Sequence, residues 1–479
     1  MTIYHHREKY RLGERQLEAG ERVVVGTRGG RREPGPAEPR RVARHLEVNV
    51  RQPQLLIDHR TWANGEYLPT FLTKDCLSNA SYARFRENYG PEGVEPQFGF
   101  GLVGKSVYIV HTWSTKMTPQ DLVKRVEIIA NTAKYNGADA VVLLAYTLDY
   151  NAQERGVHDV DHPRMKLKDA LPKFDGQAPT VEFQLQQYLN AGVDVIITPH
   201  SHSPCDLERI CSEINSEYEP MRRQSLFRNS TRRYHISLHD VDLAPVVGLY
   251  VSDYGASHLS FDLQNNGESV LFLAPDEGAA EFVRKVRMQS GLSNSAIAFM
   301  NKKRAEDGRS IELLELKGDE GLSVERGIEG MDILLIDDMF RSGETSRRCV
   351  ETLRGFQQMG MERDQRIHGV PRTVANYASR SNFVPEAVNA LSTPAINDVI
   401  ITNADPRGWL NSGELDCKLQ QIWINFVMGA AAKAVERGES PSSVLTTSYI
   451  RSNKLLRIEL PHLHKIHTGI VPGVDGGAL

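Results

Sequence analysis

The stretch Ile333-Leu334-Leu335-Ile336-Asp337-Asp338-Met339-Phe340-Arg341-Ser342-Gly343-Glu344-Thr345 decides the fold of this chain. Its four consecutive aliphatic residues are typical of a strand buried on both faces of a parallel sheet. Two adjacent carboxylates follow, at the end where such strands bind ligands. The Ser-Gly-x-Thr turn after them supplies hydroxyls and backbone N–H groups where a helix is expected to begin, an arrangement that holds anions. The alternative is a core strand followed by an ordinary acidic helix cap, since Asp and Ser are common at caps.

Strand and helix patterns alternate along the rest of the chain. Because strand-helix-strand units are right-handed and form parallel sheets, this order predicts an α/β protein with two tandem Rossmann-like domains. The predicted strands are Glu21–Thr27, Ala138–Tyr146, Val193–Thr198, Ser269–Leu273, Ala296–Met300, Ile333–Ile336 and Val399–Thr402, and the predicted helices are Asp121–Asn136, Val181–Ala191, Ala279–Ser290 and Gln420–Glu436.

Length and composition are those of a globular protein of the size of an enzyme. The chain has 479 residues, of which 40% are hydrophobic and 25% charged, enough for two domains with sizeable cores. The net charge of -4 gives no general attraction to nucleic acid or anionic membranes. The polar start is unlike a signal peptide, and no apolar run approaches the length of a membrane span. We therefore expect a cytoplasmic protein with no nucleic-acid or membrane partner.

The cysteines and histidines do not form a standard metal motif. The five cysteines are odd in number and scattered, which predicts reduced thiols. Cys205 and Cys211 lie near His200 and His202 in the sequence. A zinc site can be imagined there, but the spacing is not that of a structural zinc module.

The stretch from Asp337 to Thr345 resembles the phosphoribosyl diphosphate loop shared by phosphoribosyltransferases and ribose-phosphate diphosphokinases, also called PRPP synthetases. Further segments, in the right order, favour the diphosphokinases. They are Thr61-Trp62-Ala63-Asn64-Gly65-Glu66, which is similar to the family's ATP-contacting segment, the strand Gly104–Val110, the turn Ala274-Pro275-Asp276-Glu277-Gly278-Ala279, and Asn301-Lys302-Lys303-Arg304. The resemblance covers most of the chain from about residue 21 to 450 and implies two phosphoribosyltransferase-like domains.

The resemblance also implies an activity, the transfer of a diphosphoryl group from ATP to the anomeric hydroxyl of ribose 5-phosphate with release of AMP. Lys302 and Arg304 match the family's catalytic pair, although a Lys-Lys-Arg triplet is often only a surface loop. Such a reaction needs preplaced cations that neutralise charge on the transferring phosphates. The residues matching the sugar-phosphate loop are Asp337, Asp338, Arg341, Ser342, Gly343 and Thr345.

The ATP and metal residues follow from the same resemblance. Asp276 and His202 match positions near the family's metal, which is expected to be Mg²⁺ because it takes oxygen ligands and bridges substrate phosphates. In the family the ATP-contacting segment comes from a neighbouring subunit, so the resemblance implies a homo-oligomer with a shared ATP site. The residues matching the ATP site are Trp62, Asn64, Glu66, Gln153 and Glu154.

Four positions depart from the family pattern. Ala152 replaces an arginine and His200 an acidic residue, while Arg341 and Glu344 replace residues that are usually Asp and Gly. A carboxylate at position 344 would repel a phosphate dianion by about 1 kcal/mol in water at contact. A larger acceptor such as ADP-ribose, a non-catalytic regulatory homologue and a phosphoribosyltransferase therefore stay open as alternatives.

The predicted organisation has four parts. Residues 1–20 form an N-terminal arm, 21–248 the domain on the ATP side, 249–460 the domain with the sugar-phosphate loop, and 461–479 a tail. Three polar or loop-like segments are predicted insertions relative to the family: Pro69–Phe100, Gly156–Gln177 and Cys205–His239.

Overall fold

The structure is a computed structural model of the chain. It describes residues 22–26, 42, 57–61, 66–71, 102–112, 117–148, 150, 180–227, 232–304, 311–319, 321, 327–340, 342–355, 369–381, 385–404, 415 and 418–459.

The chain forms two compact units. The first contains Met1–Val241 and Met428–Val444, and the second contains Asp242–Val427 and Leu445–Leu479. The α/β class with parallel sheets, predicted from the sequence, is confirmed. The domain boundaries given above stay a prediction.

The first unit is built on a parallel sheet of five strands in the order β1-β4-β5-β6-β7. An antiparallel hairpin of β2 and β3 accompanies it. The strands are β1 (Arg22–Gly26), β2 (Ile57–Thr61), β3 (Tyr67–Phe71), β4 (Ser106–His111), β5 (Ala140–Ala145), β6 (Val195–Pro199) and β7 (Ser237–Val241), and the helices are α1 (Pro119–Tyr135), α2 (Thr180–Ala191), α3 (Pro204–Glu217) and α4 (Glu219–Phe227).

Helix α1 shows how the sequence specifies these elements. Thr118 and Asp121 form a capping box, in which each side chain bonds the other residue's backbone N–H at 3.2 Å. The buried residues then recur at helical spacing and face the core of the first unit, as expected for an amphipathic helix. They are Leu122, Val123, Val126, Ile129, Ala130 and Ala133.

The second unit has a sheet of eight strands in the order β10-β9-β8-β11-β12-β13-β14-β15. The six inner strands are parallel, and the two edge strands pair antiparallel. The strands are β8 (Val270–Ala274), β9 (Ala296–Arg304), β10 (Ile311–Gly318), β11 (Asp332–Phe340), β12 (Thr373–Ser381), β13 (Asp398–Thr402), β14 (Leu419–Trp423) and β15 (Arg457–Glu459). Its helices are α5 (Ala244–His258), α6 (Ala280–Ser290), α7 (Glu344–Leu353) and α8 (Pro385–Leu391), with short helices at Gln264–Gly267 and Thr447–Ser452. Helix α9 (Asn425–Glu436) begins in the second unit and belongs to the first from Met428 onward, as does the short helix Pro441–Val444.

Two local predictions were wrong. The predicted helix Gln420–Glu436 is a strand up to Trp423 and a helix only from Asn425. The supposedly loop-like segment Cys205–His239 contains most of α3, all of α4 and the start of β7. Of the other two predicted insertions, Gly156–Gln177 lies outside the described residues, as does Pro69–Phe100 beyond residue 71.

Among the described residues, no helix is long and apolar enough to cross a membrane. The cytoplasmic location stays a prediction.

A buried carboxylate fixes the start of β11. Asp332 is completely buried and accepts hydrogen bonds from Thr373 Oγ1 at 2.7 Å, Asp262 N at 2.6 Å and Arg372 Nε at 2.9 Å. The three partner residues join β11 to the neighbouring strand β12 and to the segment before β8. A buried charge with this many donors is well compensated, because each bond to an ionised acceptor is strong.

We predict that Asp332→Asn destabilises the second unit by about 2–4 kcal/mol. The amide would place its own N–H groups against the N–H of Asp262 or the guanidinium of Arg372, which leaves buried donors without acceptors. Thermal unfolding followed by circular dichroism measures this. The matched control is Asp319→Asn, which breaks the exposed pair with Arg284 and should cost less than about 1 kcal/mol. Equal effects of the two variants would contradict the prediction.

Candidate functional site

The described site lies toward the carboxyl end of β11 and β8. These strands are parallel neighbours, with Leu335 opposite Leu273, so the residues beyond this pairing meet at the same edge of the sheet. Asp337 and Asp338 lie in the last four residues of β11, and both are partly buried. Asp276 follows β8, and its Oδ1 accepts a hydrogen bond from the N–H of Ala279 at 3.3 Å. The structure thus brings three of the predicted site carboxylates to one edge.

The carboxylates influence one another electrostatically. Burial is the main cause that raises the pKa of Asp337 to about 7, and the negative charges of Asp338 and Asp276 contribute to this rise. The N–H of Asp338 donates to Asp337 Oδ1 at 2.8 Å, which partly offsets this. The edge therefore has an excess of negative potential, which hydroxyl donors or a cation would relieve.

The sugar-phosphate loop continues directly into α7. Gly343 has φ +70° and ψ -2°, the left-handed conformation that glycine adopts most readily. A Cβ there would also lie 3.1 Å from Ala390 Cβ and 3.2 Å from the carbonyl oxygen of Ala387. Ser342 is exposed beside it, and Thr345 is partly buried in the first turn of α7. The loop therefore presents hydroxyls and the helix N-terminus, as the sequence predicts.

The charge of Glu344 is compensated within α7. Arg347 donates to Glu344 from Nε at 2.8 Å and from Nη2 at 2.7 Å, and Arg348 Nε donates at 2.6 Å. The bond from Arg347 is the main reason that the pKa of Glu344 falls to about 2, with Arg348 adding to it. The expected repulsion of a phosphate by Glu344 is therefore largely cancelled. The Glu-x-x-Arg-Arg spacing was the available sequence signal, because i,i+3 and i,i+4 pairs meet on a helix.

Lys302 and Arg304 lie on an antiparallel ribbon. The predicted strand was expected to end at Met300, but β9 continues to Arg304 because β10 pairs with it. Lys302 is opposite Leu314 and Arg304 is opposite Ile311. The two residues therefore stand on the part of β9 that extends beyond the parallel sheet.

Other predicted site residues belong to the first unit or are not described. Glu66 is exposed at the start of β3 and lines a cavity of about 670 Å³ between the β2–β3 hairpin and α1. His202 is exposed in the loop between β6 and α3. Trp62, Asn64, Gln153, Glu154 and Arg341 lie outside the described residues.

Sequence analysis missed a carboxylate near His202. Asp240 on β7 accepts hydrogen bonds from the backbone N–H and the hydroxyl of Ser201, both at 2.6 Å. The family's acidic residue is replaced at His200, and Asp240 places a carboxylate beside the same loop. No local sequence signal could have found it, because the contact joins strands far apart in the chain.

The side chains at this sheet edge determine which metal ion could bind there. In the described part of the chain, no group of three or more His, Cys, Asp or Glu side chains is placed to hold a metal. Asp276, Asp337 and Asp338 nevertheless offer only oxygen ligands and mutual repulsion. They fit Mg²⁺, which commonly takes one or two carboxylates together with substrate phosphates and water.

Comparison with known proteins agrees with this architecture. No protein-family model matches the chain. It is 24% identical over 257 residues to the ribose-phosphate pyrophosphokinase of Methanopyrus kandleri, covering 53% of this chain and 64% of that protein. It is also 24% identical over 194 residues to the ribose-phosphate pyrophosphokinase of Neisseria meningitidis, covering 40% of this chain and 51% of that protein. The chain thus spans less than two thirds of these relatives' lengths.

A solved structure shares the fold. The crystal structure of phosphoribosylpyrophosphate synthetase from Mycobacterium smegmatis superposes with a TM-score of 0.55 and 15% identity, covering 87% of this chain and 99% of that one. The class is therefore an α/β protein with two phosphoribosyltransferase-like domains. In sequence, the chain is similar to ribose-phosphate pyrophosphokinases at 24% identity over part of their length, and in fold it is similar to the Mycobacterium smegmatis synthetase.

We predict that Gly343→Ala costs more stability than Gly355→Ala. Both glycines have positive φ, +70° and +85°, so both variants carry the backbone strain. Only at Gly343 does an added Cβ meet neighbours within 4 Å. The expected costs are about 2–3 kcal/mol at Gly343 and about 1 kcal/mol at Gly355. Chemical denaturation compares them, and an equal loss would show that the close approach to α8 is unimportant.

We predict that Asp337→Asn stabilises the protein in a pH-dependent way. The folded pKa of about 7 exceeds the ordinary 3.8, so folding keeps a proton that the unfolded chain releases, and wild-type stability falls as pH rises from about 4 to 7. The variant lacks this loss and should gain about 1–3 kcal/mol at pH 8 and little at pH 4. Melting temperatures across this range test it. Asp253→Asn, at an exposed carboxylate, should show no such trend, and a pH-independent effect of Asp337→Asn would refute the assignment.

Proposed function

We propose that this protein is a Mg²⁺-dependent diphosphokinase that transfers the diphosphoryl group of ATP to the anomeric hydroxyl of ribose 5-phosphate. The single observation that carries the proposal is the pair Asp337–Asp338 in the last four residues of β11, a short distance before the helix N-terminus at Gly343. The sequence relatives support a diphosphotransferase of this general kind, since their names describe that activity.

The acceptor sugar would bind across this loop. In this proposal Asp337 and Asp338 accept hydrogen bonds from the two vicinal hydroxyls of the ribose. The 5-phosphate lies at the N-terminus of α7, where backbone N–H groups and the hydroxyls of Ser342 and Thr345 bind it. Because Glu344 is compensated by Arg347 and Arg348, a phosphate dianion is tolerated there. This favours ribose 5-phosphate over ADP-ribose as the acceptor.

Charge neutralisation at the sheet edge completes the proposal. Mg²⁺, when bound with the substrates near Asp276 and the Asp337–Asp338 pair, would supply positive charge that neutralises the transferring phosphates. The proposed roles of Lys302 and Arg304 are to hold those phosphates and stabilise the charge that develops on them, as phosphoryl transfer requires. Both substrates would then be held in line for the displacement.

The ATP side of the proposal rests on the hairpin segment. Trp62 supplies an aromatic ring that can stack on adenine, and Asn64 and Glu66 supply polar contacts. Gln153, Glu154 and His202 are the further proposed ATP and metal contacts. By analogy with the family, the hairpin serves the site of a neighbouring subunit, so the proposed functional form is a homo-oligomer.

The test is phosphorus NMR of the purified protein with Mg²⁺ and ATP, with ribose 5-phosphate and ADP-ribose in separate tubes. We expect AMP and a new anomeric diphosphate signal with ribose 5-phosphate. The same signal only with ADP-ribose would identify the larger acceptor instead. Untouched ATP in both tubes would reject the enzyme and favour a regulatory homologue.

We predict that Lys302→Ala lowers kcat at least about a hundredfold, because it removes a cation that acts on the transferring phosphates. The matched control is Lys303→Ala, at the neighbouring lysine that does not match the family's catalytic pair, and it should keep most of the activity. Initial rates of AMP formation compare the two variants. Similar losses in both would mean that the ribbon contributes only general positive charge or structure.

A further inference from the structure

Within the described part of the chain, the last strand of the first sheet has an unpaired edge. Among the described strands, β7 pairs with β6 alone. The N–H of Ser237 donates to the carbonyl of Asp194, and the carbonyl of Val241 accepts from the N–H of His200, both at 3.0 Å. In a parallel ladder, alternate residues bond to the same neighbour. The backbone groups of Leu238, which lies between these contacts, therefore point away from β6.

A side chain already imitates a neighbouring strand at this edge. The amide of Asn215 on α3 donates from Nδ2 to the carbonyl of Ile236 and accepts at Oδ1 from the N–H of Ile236, both at 2.8 Å. These are the two bonds that a paired strand would make with an outward-facing residue. Leu238 is the next outward-facing residue along the edge. An added strand could therefore pair with Leu238, next to the position that the Asn215 amide occupies.

A groove runs beside this edge. Its volume is about 610 Å³, within the range of about 300–1,000 Å³ usual for ligand sites. It lies between α3, α4 and β7, in a segment that the sequence marks as an insertion relative to the family. Its lining includes Arg222, Arg223, His235 and Leu238.

The groove has a basic side. Arg222 and Arg223 on α4 line this side, together with Glu219. Arg222 and Arg223 pair with a single carboxylate, Glu219, at 3.3 Å and 3.1 Å, so their two charges exceed that of their partner. Burial lowers the pKa of His235, and the positive charge of Arg222 lowers it further. Glu208 also lines the groove, opposite in sign to this basic side.

We propose that this groove binds an extended acidic peptide segment of a partner protein, which adds a strand to β7 at Leu238. The peptide backbone would bond to the outward N–H and carbonyl of Leu238, as in strand addition to an exposed sheet edge. Alternate side chains of such a strand point to the same side. Its acidic residues would pair with Arg222 and Arg223, and this pairing would make the groove selective for acidic peptides.

The experiment is fluorescence anisotropy of the full-length protein with a fluorescein-labelled Val-Glu-Val-Glu-Val peptide. A second peptide has Lys in place of Glu, and a third is N-methylated at the central Val, which removes a backbone donor without changing charge. We expect the first peptide to bind at least about tenfold more tightly than either of the others. The double variant Arg222→Gln, Arg223→Gln should weaken it by about tenfold or more, and added salt should weaken it further.

The control variant is Arg209→Gln, which removes an arginine of α3 with a similar i,i+4 partner, Glu213, away from the groove. It should leave peptide binding unchanged. Equal binding of the methylated and unmethylated peptides would overturn strand addition. Competition by inorganic phosphate, with no dependence on methylation, would show a small-anion site instead and would also overturn the proposal.

Discussion

The buried carboxylate of Asp332 is the interaction on which the described site depends. It accepts bonds from Arg372, Thr373 and Asp262 and so fixes the start of β11 against β12 and the segment before β8. Once that start is fixed, the parallel register places Asp337 beyond the residues of β11 that pair with β8. The same strand thus has a well-compensated carboxylate at its beginning and a poorly compensated one toward its carboxyl end.

Asp332 and Asp337 lie on the same strand, but the first stabilises the fold and the second belongs to the candidate site. Asp332 is completely buried and has strong donors around it, so its charge contributes to the fold. Asp337 has the N–H of Asp338 as a local donor, and burial and two neighbouring carboxylates raise its pKa. A group that costs stability in the free protein is retained when a ligand compensates it, which is the usual signature of a binding site.

The sequence predicted the parallel sheets because their signals are local. Four aliphatics before Asp337 and similar runs in β5, β6 and β8 are typical of strands buried on both faces. Strand β14 was missed because its Gln420 looks polar, yet Gln420 Nε2 bonds Asp398 Oδ1 and the carbonyl of His258 at 3.0 Å. Such partners are far apart in sequence, so no local pattern predicts these hydrogen bonds. The extension of β9 to Arg304 also depends on pairing, here with β10.

The charge at Glu344 shows that the same limit of sequence-based prediction applies to the site itself. In the sequence alone, Glu344 departs from the family loop, and its carboxylate is expected to repel a phosphate. Arg347 and Arg348 turn it into part of a neutralised cluster at the start of α7. The segment after Cys205 follows the same logic, because its polar residues looked like a loop but fold into α3 and α4 once they pack on β7. In both places, comparison with the family pattern identified where this chain differs. The structural effect of each difference depends on the residues that contact it in the folded protein.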